Sequence, residues 1–170
     1  MVKKYLVLVL ISIIVIVGFI LGQNIFTKGQ VTLPIPTPSS ETITIIEPDP
    51  VLVIVNNART SRSLEPLTQT KELTIPVQQR AENVYKIAQW THEGFEEALR
   101  EAGLSGNFGE NIARGYGTDT EVVEYWIKSP THADILFDSC KYAGVGRAGT
   151  GVKGTLGYDS YIVLWVGGCK

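Results

Sequence analysis

An uncharged apolar run near the amino terminus constrains this chain more than any other feature. From Tyr5 to Gly22, 18 residues carry no charge, and Lys3 and Lys4 stand just before them. As a helix, such a run would be about 27 Å long, close to the hydrocarbon thickness of a bilayer. The lysines predict that residues 1–4 stay cytoplasmic and that the following chain lies outside. We therefore predict a transmembrane anchor over residues 5–22.

A cleaved secretory signal sequence is the alternative for the same run. The apolar core of a signal is normally shorter, and Ile20-Leu21-Gly22 is a poor match to the small residues of a cleavage site. No cysteine follows the run closely, which disfavours a lipoprotein anchor. Both readings place the rest of the chain outside the cytoplasm, tethered in the first and secreted in the second.

Residues 23–50 differ in composition from what precedes and follows them. They contain Pro34, Pro36, Pro38, Pro48 and Pro50, with many threonines and serines. Repeated prolines prevent helix and favour extended chain. We predict a semi-stiff linker that holds a folded domain, residues 51–170, off the membrane. Within it, residues 42–46 alternate weakly in polarity and are a candidate edge strand.

The charge balance excludes one class of partner. The formal net charge is -2, and the two lysines before the apolar run leave the outer part more acidic still. A mildly acidic domain repels polyanions, and the sequence contains no cluster of basic and aromatic residues that would form a nucleic-acid-binding surface. We predict no nucleic-acid partner.

Two cysteines, Cys140 and Cys169, lie in the outer part. In an oxidising compartment they are expected to pair. Closing a loop of this length would contribute roughly 3–4 kcal/mol in the chain-entropy model. A metal pair or two free thiols are the alternatives, but the spacing lacks the C-x-x-C pattern of zinc sites.

Helical periodicity marks three segments of the outer part. Apolar residues recur at helical spacing in Pro76–Trp90, Gly94–Ala102 and Thr120–Lys128. Pro76 suits a first turn, and Gly103 suits a carboxyl-terminal cap. We predict a helix over each segment.

The last third of the chain changes to strand periodicity. Tyr142–Ala148 and Tyr158–Gly167 are separated by a glycine-rich segment, which predicts an antiparallel hairpin. The β-branched residues of Val51–Arg59 favour strand by propensity alone. Helices followed by antiparallel strands are typical of an α+β fold, here with an antiparallel sheet.

Several motifs, taken in chain order, resemble the CAP superfamily. They are Asn56-Asn57-Ala58-Arg59, Gly109-Glu110-Asn111-Ile112-Ala113, Trp126-Ile127-Lys128-Ser129-Pro130-Thr131-His132, Tyr142-Ala143-Gly144-Val145-Gly146 and Tyr161–Val166. Residues 51–168 are similar to a CAP domain of the short bacterial SCP-like type (cysteine-rich secretory protein, antigen 5, pathogenesis-related). The resemblance implies a three-layer α-β-α sandwich with an open cleft. It also implies that Val51–Arg59 is helical, against its propensity.

The resemblance further implies a cleft built from two histidines and two acidic residues. His92, Glu110 and His132 match three of these positions, and Ser129 occupies the fourth, which is a departure from the full pattern. Two neutral imidazoles and a carboxylate suit Zn²⁺ or another divalent metal. The alternative is that the three side chains hydrogen-bond one another and brace the cleft.

Function is predicted from this cleft and from the family. We expect a non-enzymatic surface module that binds a lipid or an envelope protein. A metal-assisted hydrolase acting on peptides or cell-wall material is the alternative. No residue is assigned as catalytic: His92-Glu93 begins like the H-E-x-x-H zinc motif, but Glu96 takes the place of its second histidine.

Overall fold

A computed structural model describes residues 43–88, 91–115, 117–149, 155–156 and 160–170. The predicted cytoplasmic tail, the anchor and residues 23–42 of the linker lie outside the described residues. Within the described ranges, no helix has the length and apolar character needed to cross a membrane.

The described chain forms helices on both faces of a small sheet. The helices are α1 Pro50–Thr60, α2 Lys71–Lys86, α3 Phe95–Glu101, α4 Asp119–Lys128 and α5 Pro130–Phe137. The strands are β1 Thr68–Gln69, β2 Phe108–Arg114, β3 Gly117–Thr118, β4 Tyr142–Ala148, β5 Thr155–Leu156 and β6 Tyr161–Gly167. The helices predicted over 94–102 and 120–128 are confirmed within a few residues.

The first helix overturns the strand expected from propensity. The Asp49 side chain accepts a hydrogen bond from Val51 N, and Pro50 occupies the first turn. Val51, Leu52 and Val55 are buried on one face of α1. Burial of this face decides the conformation because tertiary packing outweighs the weak preference of β-branched residues for strand.

Helix α2 begins earlier than the sequence suggested. The Thr70 side chain accepts a hydrogen bond from Leu73 N and caps the helix, so Pro76 lies inside α2 and the first-turn assignment was wrong. A proline there removes the bond from its own nitrogen and its ring crowds the carbonyl of Glu72, four residues earlier, and the buried face of α2 stabilises the helix despite both effects. Because of this cap and the burial of Leu73, the helix begins at Lys71 rather than at Pro76. It ends at Lys86, before the predicted end at Trp90.

The main sheet is mixed, which corrects the predicted antiparallel sheet. Its strand order is β1-β4-β6-β2. β6 pairs antiparallel with β4 and with β2, as the predicted hairpin required, but β1 pairs parallel with β4. The parallel pairing is possible because the long chain between β1 and β4 provides the crossover that such a pair needs. A separate pair joins β3 and β5.

Two hydrophobic clusters confirm the three-layer arrangement. One cluster joins α1, α4 and α5 to one sheet face through residues such as Val55, Trp126 and Leu164. The other joins α2 and α3 to the opposite face through Val77, Leu99 and Trp165. The sheet is therefore buried on both faces.

The folded unit extends upstream of the predicted boundary at residue 51. Thr42–Lys170 form one compact unit. Ile46 N donates to Gln69 O at 3.1 Å and Lys71 N donates to Thr44 O at 2.9 Å, on either side of a bridge between Ile45 and Thr70. Residues 43–49, which we call the docked segment, thus cover the β1 edge of the sheet.

An ion cluster holds the end of the docked segment. The Arg147 guanidinium donates to Asp49 Oδ1 at 2.6 Å and to both carboxylate oxygens of Asp119 at 2.9 Å. Burial alone would lower the pKa of Arg147, but the hydrogen bonds to the two aspartates raise it above its ordinary value. Arg147 therefore stays charged, and its hydrogen bonds tie α1, α4 and β4 together.

The predicted disulfide is present. Cys140 and Cys169 are bonded across a sequence separation of 29. Cys140 precedes β4 and Cys169 follows β6, so the bond fastens the carboxyl terminus beside the neighbouring central strand.

Candidate functional site

The candidate site lies at the other edge of the sheet, along β2. Side chains alternate along this strand. Glu110 and Ile112 face the layer of α2 and α3, whereas Asn111 faces α5, where its Nδ2 donates to His132 O at 3.1 Å. The Gly-Glu-Asn motif therefore sends one polar side chain to each face at the open edge.

Glu110 is buried and fully hydrogen-bonded. Arg80 Nε donates to Oε2 at 3.0 Å, and Arg80 Nη2 donates to Oε1 at 3.2 Å. The Trp165 indole donates to Oε2 at 2.8 Å, and His92 Nδ1 lies 3.0 Å from Oε1. A carboxylate offers about four acceptor sites. These four contacts occupy both oxygens, so Glu110 braces its surroundings.

Arg80 was not predicted as part of the site. It lies on α2, and its side chain is only 6% exposed. Its Nη2 also donates to Thr91 O at 3.0 Å, which fixes the backbone next to His92. The sequence did contain a signal for it. Arg80 lies beside Val77 and Ala81 on the apolar face of the helix, and a buried arginine needs an acceptor for its hydrogen bonds.

His92 is held in one orientation by Glu110. Because the ionised carboxylate can only accept, the Nδ1 atom of His92 carries the proton in this contact. In the neutral form of the imidazole, this leaves the Nε2 lone pair for another partner. The side chain is 56% exposed, so this nitrogen is accessible from the cleft.

His132 stands opposite, in the first turn of α5. Its Nδ1 lies 2.8 Å from Ser129 Oγ, the residue that precedes the helix. Burial, and to a smaller extent the nearby charge of His92, lower the pKa of His132. The imidazole is therefore neutral at pH 7, the form that binds metals.

The two histidines share one pocket of about 520 Å³. Its other lining residues are Phe95, Phe108, Gly109, Glu110, Thr131 and Ile135. A side chain at position 109 would bring its Cβ to 2.8 Å from Ile135, so glycine allows Ile135 of α5 to pack closely against β2. A second pocket of about 410 Å³ adjoins the first, because Phe108, Gly109 and Ile135 line both.

His92, Glu110 and His132 thus line the same cleft. Ser129 does not line it, but its hydroxyl contacts the His132 ring. Two imidazole Nε2 atoms suit a borderline divalent metal, with Glu110 in the outer position that orients a ligating histidine. The sequence predicted His92, Glu110 and His132 as one set of metal ligands, but among the described residues they do not form a group whose ligand atoms all lie within 4.8 Å of one another. The group that meets this distance in the described ranges is Asp138, Cys140 and Cys169. Its cysteines are disulfide-bonded and offer no thiolate.

The fold and cleft define a class: an α-β-α sandwich with paired histidines at the open edge of a mixed sheet. The model of the CAP family, described as the cysteine-rich secretory protein family, matches residues 52–167. The chain belongs to this family, as its motifs indicated. A comparison with curated protein sequences finds no significant match.

Three solved structures share the fold. An outer surface protein from Borrelia burgdorferi has a TM-score of 0.60 at 19% identity, covering 76% of this chain and 100% of that one. An extracellular SCP-domain protein from Bacillus anthracis str. Ames has a TM-score of 0.58 at 16% identity, and the match covers 68% of this chain and 38% of that one. A cysteine-rich secretory protein from Staphylococcus aureus subsp. aureus Mu50 has a TM-score of 0.53 at 17% identity, and the match covers 68% of this chain and 37% of that one. The chain therefore spans under two fifths of two of these relatives.

Proposed function

We propose that this protein is an extracytoplasmic binding module whose cleft holds a divalent cation through Nε2 of His92 and of His132. The observation that carries this proposal is the saturated carboxylate of Glu110. Its contact with His92 places the proton on Nδ1, and the opposite nitrogen is then a ready metal ligand. Zn²⁺ is the ion we expect, because two neutral imidazoles suit a borderline metal.

The same carboxylate favours binding over catalysis. A metal-assisted hydrolase needs a general base that can take a proton from water. Glu110 lines the cleft beside the histidines, but Arg80 and the Trp165 indole already donate hydrogen bonds to its carboxylate. We propose a non-enzymatic module on this ground.

We also propose that the domain is held at the outer face of a membrane. The apolar run over residues 5–22, with its preceding lysines, supports an anchor. The disulfide is of the kind that persists in oxidising compartments. Two structural relatives, described as an extracellular protein and as an outer surface protein, support this location. The partner would be a lipid or protein of the envelope within reach of the linker.

Calorimetric titration with Zn²⁺ tests the metal site. Purified Thr42–Lys170 would be compared with the His92→Ala/His132→Ala double variant and with Glu110→Gln. We expect micromolar binding that the double variant loses. In Glu110→Gln we expect a loss of about 10- to 100-fold, as for an orienting partner of a metal ligand.

Two outcomes would reject the proposal. If the unaltered, folded domain binds no zinc, the histidines only brace the cleft. If metal-loaded protein cleaves peptides or cell-wall material, and His132→Ala abolishes that cleavage without unfolding the domain, the protein is a hydrolase.

Anchoring has its own test: the full chain should stay with membranes after alkaline washing, whereas a soluble form beginning near residue 23 would indicate a cleaved signal.

A further inference from the structure

Two consecutive residues of β2 each hold one of the two histidines. Glu110 faces the layer of α2 and α3, where its Oε1 lies 3.0 Å from His92 Nδ1. Asn111 faces the opposite layer, where its Nδ2 donates to His132 O at 3.1 Å. Because side chains alternate along a strand, neighbouring residues reach opposite faces of the sheet. Both histidines are therefore attached to the same short piece of backbone.

The bond from Asn111 lies beside an apolar contact between α5 and β2. Gly109 and Asn111 share one face of the strand, and His132 and Ile135 share one face of the helix. A Cβ at position 109 would lie 2.8 Å from Ile135 Cγ2, so the two elements pack closely there. An apolar contact has no preferred direction, whereas a hydrogen bond does. The bond to the His132 carbonyl thus defines where α5 lies along β2.

The Asn111 side chain contributes little besides this bond. The residue is 0% exposed, and its Oδ1 has no hydrogen-bond partner among the described residues. A buried acceptor without a partner costs folding free energy, and a leucine of similar shape would avoid that cost. Only the amide nitrogen can donate to a carbonyl. What asparagine supplies here and leucine cannot is the bond to His132.

We propose that Asn111 is a positioning residue of the candidate metal site, which holds the main chain of His132 so that both imidazoles can reach one cation. This inference rests on the proposed function, since it assigns a role in the same cleft. Glu110 orients the ring of His92, and Asn111 places the helix that carries His132. The two supports of the site come from adjacent residues of one strand.

The first arm of the test needs no metal and compares Asn111→Leu with a matched variant in the full chain in detergent. The ring centroids of Tyr125 and His132 lie 6.2 Å apart, so some of their protons should show a nuclear Overhauser effect. In Asn111→Leu we expect this effect to weaken about threefold or more, because α5 is free to shift. Asn56→Leu removes another amide that bonds main chain, that of Leu67, and should leave the effect unchanged.

The second arm measures zinc affinity by calorimetry and stability by urea unfolding of metal-free protein. Asn111→Leu should bind Zn²⁺ about 10- to 100-fold more weakly, the usual loss when an outer partner of a metal ligand is removed. Asn56→Leu should keep the zinc affinity, because Asn56 does not line the pocket of the histidines. It should lose more stability than Asn111→Leu, because Asn56 makes two bonds to Leu67. A merely structural role for Asn111 would lower stability and leave zinc affinity unchanged.

Either of two results would overturn the proposal: a ring-to-ring effect that persists at full strength in Asn111→Leu, or an unchanged zinc affinity in that variant. Should Asn111→Leu not fold, Asn111→Ala removes the same amide without adding volume, and the same two results decide. If the unaltered protein binds no zinc, the proposed function fails. The metal-free arm then still decides whether Asn111 positions His132, so the two failures are separate.

Discussion

The two edges of the main sheet are built around comparable ion clusters that serve different ends. At the β1 edge, Arg147 lies between Asp49 and Asp119, and the docked segment covers the strand. At the β2 edge, Arg80 pairs with Glu110, but the next contact in the chain of hydrogen bonds is the half-exposed His92. A cluster whose partners are all fixed structural groups closes an edge. We propose that the second cluster, which ends on the accessible imidazole of His92, marks the edge where the protein binds.

Removing each arginine gives the largest expected effect and tests this contrast. Arg80→Ala should lower the free energy of unfolding by about 3–5 kcal/mol, because it leaves the buried Glu110 charge without its partner. Arg147 is 20% exposed, and water can partly replace it. Arg147→Ala should therefore cost less, about 1–3 kcal/mol. Urea unfolding of Thr42–Lys170 measures both, and the reverse order would contradict the comparison.

Loss of the disulfide should come next in magnitude. Cys140→Ser/Cys169→Ser should lower the free energy of unfolding by about 2–4 kcal/mol, since the loop gains freedom in the unfolded chain. Neither cysteine lines the pocket that the histidines share, so zinc affinity measured under folding conditions should not change. A loss of zinc binding in the folded variant would show that the disulfide also shapes the cleft.

Substitutions at Asp49 separate its two roles at the closed edge. Asp49→Ala removes the cap of α1 and the ion pair with Arg147, and should cost about 1–2 kcal/mol. Asp49→Asn keeps a capping side chain and should cost less. Thermal unfolding resolves the difference. Equal effects of the two substitutions would mean that only the ion pair matters.

The smallest expected effect is a pH dependence from His132. Its pKa is lower in the folded protein than the ordinary 6.5, so the unfolded chain binds the proton more readily. Stability should therefore fall as pH decreases below about 6.5 in metal-free protein. His132→Gln should remove that part of the slope of unfolding free energy against pH. An unchanged slope would contradict the burial of the imidazole.

The sequence predicted the layers and the cleft residues better than it predicted the edges. Glu110 and His132 could be placed because they lie in short motifs of the family, and His92 because it matches a third position of the family's cleft. Arg80 could not, because its partner lies 30 residues away and only the folded sheet brings them together. Likewise, nothing local pairs Asp49 with Arg147, which are 98 residues apart.

Local propensity failed where burial decided the conformation. Val51–Arg59 was expected as a strand by propensity, yet the Asp49 cap and the sheet-facing side of α1 make it a helix. The proline-rich composition upstream suggested a linker up to residue 50. The docked segment belongs to the fold because backbone bonds to Gln69 and Lys71 hold it, and composition does not report such bonds.

The state of the His92 imidazole tests the central claim most directly. Long-range ¹H–¹⁵N correlation spectra of ¹⁵N-labelled protein report which ring nitrogen carries the proton, before and after zinc is added. The account predicts a proton on Nδ1, directed at Glu110, and an Nε2 resonance that moves when zinc binds. A proton on Nε2, or a zinc-induced shift confined to Nδ1, would contradict the role assigned to Glu110 and with it the open, metal-ready edge.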